Sequence, residues 1–87
     1  MLSIEEREKF VACLRNRIQE RVYEEVTCTH DIIFNSYVIH IRGRDINFNI
    51  DITRYVLYVD SEKAAISIEE YIMDEYKRFI LGKYIIQ

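Results

Sequence analysis

The sequence predicts an α+β domain of order α-β-β-β-α, in which a three-stranded antiparallel sheet has two helices packed on one face. Three observations predict it. A helical spacing of apolar residues follows a Ser-Ile-Glu-Glu start near each end of the chain, at Ser3 and again at Ser67. Between them the apolar period changes to strict alternation, most clearly from Ile46 to Thr53. At 87 residues, with 49% hydrophobic and 31% charged, the chain supports one core and therefore one globular domain over residues 1–87.

The first helix is expected over about residues 4 to 25. Ser3 and Glu6 form a capping box, since the Ser3 hydroxyl can accept from the Glu6 amide while the Glu6 carboxylate reaches back to the Ser3 amide. Ile4, Val11, Leu14, Ile18 and Val22 then fall on one helical face, with Phe10 and Val26 at its edge. Cys13 lies beside that stripe as a small core or boundary residue, and Arg21 with Glu24 and Glu25 belongs to the charged face.

After Thr29 the alternation begins. Ile33, Tyr37, Ile39 and Ile41 share one parity, and Ile46, Phe48, Ile50 and Ile52 alternate with Asn47, Asn49, Asp51 and Thr53. Arg42-Gly43-Arg44-Asp45 joins the two strands, with a glycine available for a positive φ. A tight turn there sets Ile41 opposite Ile46, Ile39 opposite Phe48 and Tyr37 opposite Ile50, so the apolar faces coincide. Tyr55 to Val59 is rich in β-formers and is expected as the third strand. The second helix is expected over about residues 68 to 81, capped by Ser67 and ended by Gly82, with Asp60 or Ser61 as an earlier start. Leu14, Ile18, Ile39, Phe48, Ile50, Ile72 and Phe79 are the expected core.

Charge limits the function. The net charge of −3 is spread evenly, each third of the chain summing to −1, so no extended positive field favours capture of a phosphate backbone. The two cysteines are too few for a disulfide framework, and MLSIEEREKF is acidic where a secretory signal is basic and then apolar, so a reducing cytoplasm is expected. Apolar runs stay far below the roughly 20 residues that span a bilayer. No membrane partner is therefore expected.

No residue pattern predicts a catalytic, metal or cofactor site. Cys28-Thr29-His30, with His40 or Asp31, falls short of the paired ligands of a structural zinc site and reads as a loop leaving the first helix. As nucleophile and base, Cys28 and His30 lack a third orienting group. Glu5-Glu6, Glu24-Glu25, Glu69-Glu70 and Asp74-Glu75 read as solvated helix faces. With only two glycines there is no phosphate loop.

The expectation is a non-catalytic domain that binds a protein partner or a second copy through the open sheet face. The residues assigned to that contact are Phe34, Val38, His40, Asn47, Asn49 and Tyr58, together with Arg42 and Arg44 at the hairpin tip, which Arg54 is expected to approach. Tyr84-Ile85-Ile86 is the segment that would cover this face instead. In size and architecture the chain is similar to small acidic phage inhibitors, anti-CRISPR proteins among them, which implies a phage or mobile-element protein that inhibits or adapts a host component.

The alternative expectation is nucleic-acid binding. The α-β-β-β-α order resembles the double-stranded RNA-binding domain, and Ser61-Glu62-Lys63-Ala64-Ala65 is similar to the start of that family's second helix. The resemblance implies phosphate contacts there, from Lys63 and from Arg42, Arg44 and Arg54. Where the family clusters lysines, this chain has Lys63 followed by apolar residues and Glu69-Glu70.

Overall fold

The computed structural model describes every residue except Met1, Asp60, Glu62 and residues 85–87. The order is α1 (Ile4–Gln19), β1 (Glu25–Asp31), β2 (Ser36–Arg42), β3 (Asn47–Asp51), α2 (Thr53–Tyr58) and α3 (Ala64–Tyr84). The strands form one antiparallel sheet in the order β1-β2-β3. This is the predicted α-β-β-β-α arrangement, with an additional short helix before the last one. Asp60, as a candidate cap, and Ile85-Ile86, as a candidate cover for the sheet, lie outside the described residues.

The capping box forms at Ser3, whose Oγ accepts from the Glu6 amide at 3.2 Å while Glu6 Oε1 accepts from the Ser3 amide at 3.0 Å. Phe10, Val11, Leu14 and Ile18 are the buried face of α1, whereas Ile4 is exposed and Cys13 points to solvent. The helix stops at Gln19, not near residue 25, and its own side chains explain the exit. Gln19 Nε2 donates to the Glu24 carbonyl at 2.8 Å, Gln19 Oε1 accepts from the Val26 amide at 3.0 Å, and Arg15 Nε donates to the Val26 carbonyl at 2.7 Å. These bonds satisfy backbone groups that face the sheet's free edge and start β1 there. Val22 and Val26 continue the helical spacing of the sequence, but Val26 is a buried strand residue opposite Ile41.

The third strand is therefore Glu25–Asp31 rather than 55–59, which is helical. Ile52, Val56 and Val59 stand one helical turn apart and are all buried, so packing against the core overrides the β-propensity of that stretch. The β2–β3 register is also displaced. Ile41 pairs with Phe48 and Ile39 with Ile50, two residues from the predicted pairing, because Gly43 to Ile46 forms a longer loop closed by the Gly43 amide on the Ile46 carbonyl at 2.9 Å. An even displacement keeps every side chain on its predicted face. Gly43 does not use a positive φ; among described residues Asn35, at φ 50, does.

The second capping box is not used. Helix α3 begins at Ala64, so Ser67 is an interior position, and it continues through Gly82. Its buried face is Ala65, Ile68, Ile72, Met73 and Tyr76. Phe48 meets the rings of Tyr76 and Phe79 with centroids 5.3 and 5.4 Å away. Of the expected core, Leu14, Ile18, Ile39, Phe48 and Ile72 are buried, while Ile50 and Phe79 pack against it half-buried.

One polar clasp joins the long helices. Glu69 is only 6% exposed and binds Arg17 Nε and Arg21 Nη1, the latter at 2.7 Å, and Arg21 Nη1 also reaches Glu70 at 2.7 Å. Glu69 is thus not on a solvated face, and Arg21 serves α3 rather than Glu24 and Glu25. Burial by itself pushes the Glu69 carboxyl up, but hydrogen bonds from Arg21 and Arg17 outweigh it and hold the group below its ordinary value. No helix among the described residues is long and apolar enough to cross a membrane.

Candidate functional site

All three helices pack against the sheet face that carries Val26, Tyr37, Ile39, Ile41 and Phe48. The opposite face is open, and of the predicted contact residues it gathers Val38, His40, Arg42, Asn47 and Asn49. Four of the five are polar and bond one another. His40 Nε2 meets Thr29 Oγ1 at 2.9 Å and His40 Nδ1 meets Asn49 Oδ1 at 2.6 Å, a row that crosses all three strands. Arg42 Nη1 donates to Asn47 Oδ1 and, at 2.7 Å, to Asn49 Oδ1. The open face is a satisfied polar lattice around Val38, not the half-apolar surface the alternation predicts.

The three remaining contact residues lie elsewhere. Arg44 is exposed in the β2–β3 loop, Phe34 in the β1–β2 loop at the opposite end of β2, and Tyr58 on α2, which packs on the helical side. Tyr58 faces an open groove with Arg54, Tyr55, Ala64, Ser67 and Ile68. The expected cluster of positive charge at one hairpin tip does not form. Arg42 is drawn across the sheet, and Arg54 follows Thr53, whose Oγ1 accepts from the Tyr37 amide at 2.8 Å, at the far end of β2 from Arg44.

Cys28 and His30 are strand residues facing the helices, not a loop. Burial pushes the Cys28 thiol up to about 11, so it is protonated near neutrality and a poor nucleophile. His30 has both ring nitrogens engaged, Nδ1 with Glu8 Oε1 at 2.9 Å and Nε2 with Asn35 Oδ1 at 3.2 Å. Among the described residues no three His, Cys, Asp or Glu side chains gather closely enough to hold a metal ion.

The surface that sequence reasoning missed is the β1–β2 tip. Ile32, Ile33 and Phe34 are 83, 88 and 79% exposed, and Ile4 at the start of α1 is 69% exposed. The loop is ordered nonetheless. Asp31 Oδ1 accepts from the amides of Ile33 at 2.9 Å and Phe34 at 3.3 Å, an Asx turn, and Asn35 takes the left-handed conformation that returns the chain into β2. A signal was present: Asp31 and Asn35-Ser36, all turn formers, bracket the apolar trio. Ile33 shares the parity of Tyr37, Ile39 and Ile41, and that parity hid the turn.

Between this tip and α1 lies a cleft of about 360 Å³ lined by Ile4, Arg7, Glu8, His30, Ile32 and Asn35. Comparison with family models, with curated proteins and with solved structures finds no match for this chain.

Proposed function

We propose that this chain is a non-catalytic protein-binding domain, an inhibitor or adaptor that docks by inserting the β1–β2 tip into an apolar pocket of its partner. One observation carries the reading: three consecutive large apolar side chains stand almost fully exposed on a turn whose backbone is fixed. Scattered exposed apolar residues are ordinary, but a contiguous apolar knob bears a cost in solubility that burial in a complex removes. A pre-ordered knob also loses little entropy on docking, which is how a few anchor residues come to dominate an interface.

A protein pocket suits the knob better than a lipid surface. Arg7 and Glu8 beside it offset one another, Asp31 adds a negative charge and the chain carries a net charge of −3, so the tip lacks the basic cluster that draws a protein to an anionic membrane. Nucleic-acid binding draws less support, since Arg42 is occupied within the sheet and Arg44 and Arg54 are apart.

The test is affinity capture from a lysate of the cells that carry the gene, using the full chain and two variants. Ile33→Asp with Phe34→Asp should lose a captured protein that Val38→Lys retains, while both variants unfold at the wild-type temperature. Loss with Val38→Lys alone would move the contact to the open face, and co-sedimentation of the wild type with lipid vesicles would overturn the protein reading.

A further inference from the structure

The two edges of the sheet are built differently. On β1 the outward amide and carbonyl of Val26 are taken by Gln19 and Arg15, so α1 closes that edge at its start. The other edge is β3. The Gly43 amide donates to the Ile46 carbonyl and the Ile52 amide to the Tyr37 carbonyl, both at 2.9 Å, which fixes the phase of the ladder. Ile46, Phe48, Ile50 and Ile52 therefore turn their backbone groups to β2, and Asn47, Asn49 and Asp51 turn theirs outward. Among the described residues nothing bonds those outward groups. The usual guards of an edge are missing too: β3 has no lysine, no proline and no bulge in its register, and Ile50 and the Phe79 ring beside Phe48 are left half-buried.

We infer that β3 pairs antiparallel with β3 of a second copy of this chain, about a two-fold axis through Asn49, so that two sheets become one. The pairing uses no residue of the tip and stands apart from the docking reading. On that axis Asn49 faces its own copy, Asn47 faces Asp51 of the second copy, and Phe48 faces Ile50 of the second copy. The outward backbone groups then meet each other, because the hydrogen-bonded pairs of an antiparallel ladder fall on alternate residues. Side chains match as well, amide against carboxylate on the open face and ring against aliphatic on the helical face. Arg42, which lies over Asn47 and donates to Asn49 Oδ1 at 2.7 Å, brings a positive charge to the side that Asp51 of the second copy approaches. This charge complementarity, repeated on both sides of the axis, points to a second copy as the occupant, since a two-fold interface must be complementary to itself. A displacement of two residues either way leaves one end of β3 unpaired, and a displacement of one sets an asparagine against Phe48 or Ile50 and mixes the faces.

The experiment follows the full chain by sedimentation equilibrium and amide hydrogen exchange over a series of protein concentrations. A dimer should form as concentration rises, and protection of the Asn47, Asn49 and Asp51 amides should rise with it, while the Phe48 and Ile50 amides, already bonded to β2, change less. Asn47→Asp keeps an oxygen for Arg42 but sets a carboxylate against Asp51 on both sides of the axis, and should weaken dimerisation about tenfold. Adding Asp51→Asn restores an amide opposite each carboxylate, keeps an acceptor for the Thr53 amide, and should recover the dimer. A monomer at millimolar protein, a dimer that Asn47→Asp leaves intact, or a double variant that folds and stays monomeric would each overturn the inference. Should a variant fail to fold, the wild-type exchange pattern decides alone, and protection at Asn47, Asn49 and Asp51 that does not rise with concentration overturns it. Ile33→Asp with Phe34→Asp should dimerise as the wild type does; loss of the dimer there would place the contact at the tip and overturn the edge pairing, so edge and tip are read separately.

Discussion

The imidazole of His30 lies face to face with the phenol ring of Tyr37, their centroids 4.0 Å apart and their planes 9° from parallel. Tyr37 is buried, so the stack anchors the last turn of β1 to the core. The same imidazole reaches Glu8 on α1 and Asn35 in the turn. One ring thereby holds the exposed tip to a helix, a strand and the core at once, which accounts for an ordered loop whose apolar side chains bury almost nothing.

Replacing His30 by alanine should lower stability by about 1 kcal/mol, the scale of an aromatic pair. His30→Phe should restore most of that loss, since the stack survives, yet leave the turn untethered. Chemical denaturation reads the first effect. Amide exchange at Ile33 and Phe34 reads the second, and should be faster than wild type in both variants.

Asn35 offers a test of the turn itself. Its φ of 50 lies in the left-handed region, which asparagine tolerates and a β-branched residue does not. Asn35→Gly should be close to neutral, because glycine's ease there offsets the lost contact with His30. Asn35→Val should cost about 1–2 kcal/mol in a denaturation midpoint.

These turn residues show what the sequence makes legible and what it does not. The helix start at Ser3 and the alternation from Ile46 to Ile52 are local signals, and the structure keeps both. The strand from Glu25 to Asp31 is hidden because its core-facing set is Val26, Cys28 and His30, of which Val26 alone is buried, while Cys28 and His30 are half-buried against α1 and the Tyr37 ring and carry no evident hydrophobic alternation. The helix at Thr53–Tyr58 was hidden in the opposite way. Its residues favour strands one by one, while the spacing of Ile52, Val56 and Val59 carries the helical period. On the open face, alternation alone puts His40, Asn47 and Asn49 on one side of the sheet, but their mutual bonding depends on register across three strands, which no single segment encodes.

The two glycines should respond in opposite senses to alanine. Gly82 sits inside α3 with open space around an added Cβ, so Gly82→Ala should stabilise by about 0.5–1 kcal/mol through helix propensity. At Gly43 the new Cβ would come within 2.8 Å of Glu24 Cγ. Glu24 accepts a hydrogen bond from the Tyr76 hydroxyl, so moving it disturbs a tie between the β1 approach and α3. Thermal unfolding should rise for Gly82→Ala and fall for Gly43→Ala.

The clasp at Glu69 sets the acid side of the stability profile. Burial raises this carboxyl, but the hydrogen bonds from Arg21 and Arg17 prevail, so the folded value lies below the ordinary 4.5. A group depressed in the folded state contributes stability that is complete above its unfolded value and is lost as pH falls through its folded value. Stability should therefore be flat near neutrality and decline below about pH 4.5. Asp51, held low by the hydroxyl and amide of Thr53, adds to the same decline. Glu69→Gln removes the charge at every pH. At neutral pH it should cost about 1–3 kcal/mol, toward the lower end because Arg17 and Arg21, with side chains 44% and 31% exposed, regain water. Glu70→Gln, which loses only the exposed branch of the clasp, should cost under about 1 kcal/mol. Urea midpoints measured from about pH 6 to about pH 3 separate the cases, since Glu69→Gln should lose less stability on acidification than the wild type does. An acid slope in Glu69→Gln equal to that of the wild type would show that the clasp does not carry the titration and would leave it to Asp51 and to Glu6, whose carboxyl the amide and hydroxyl of Ser3 also hold low.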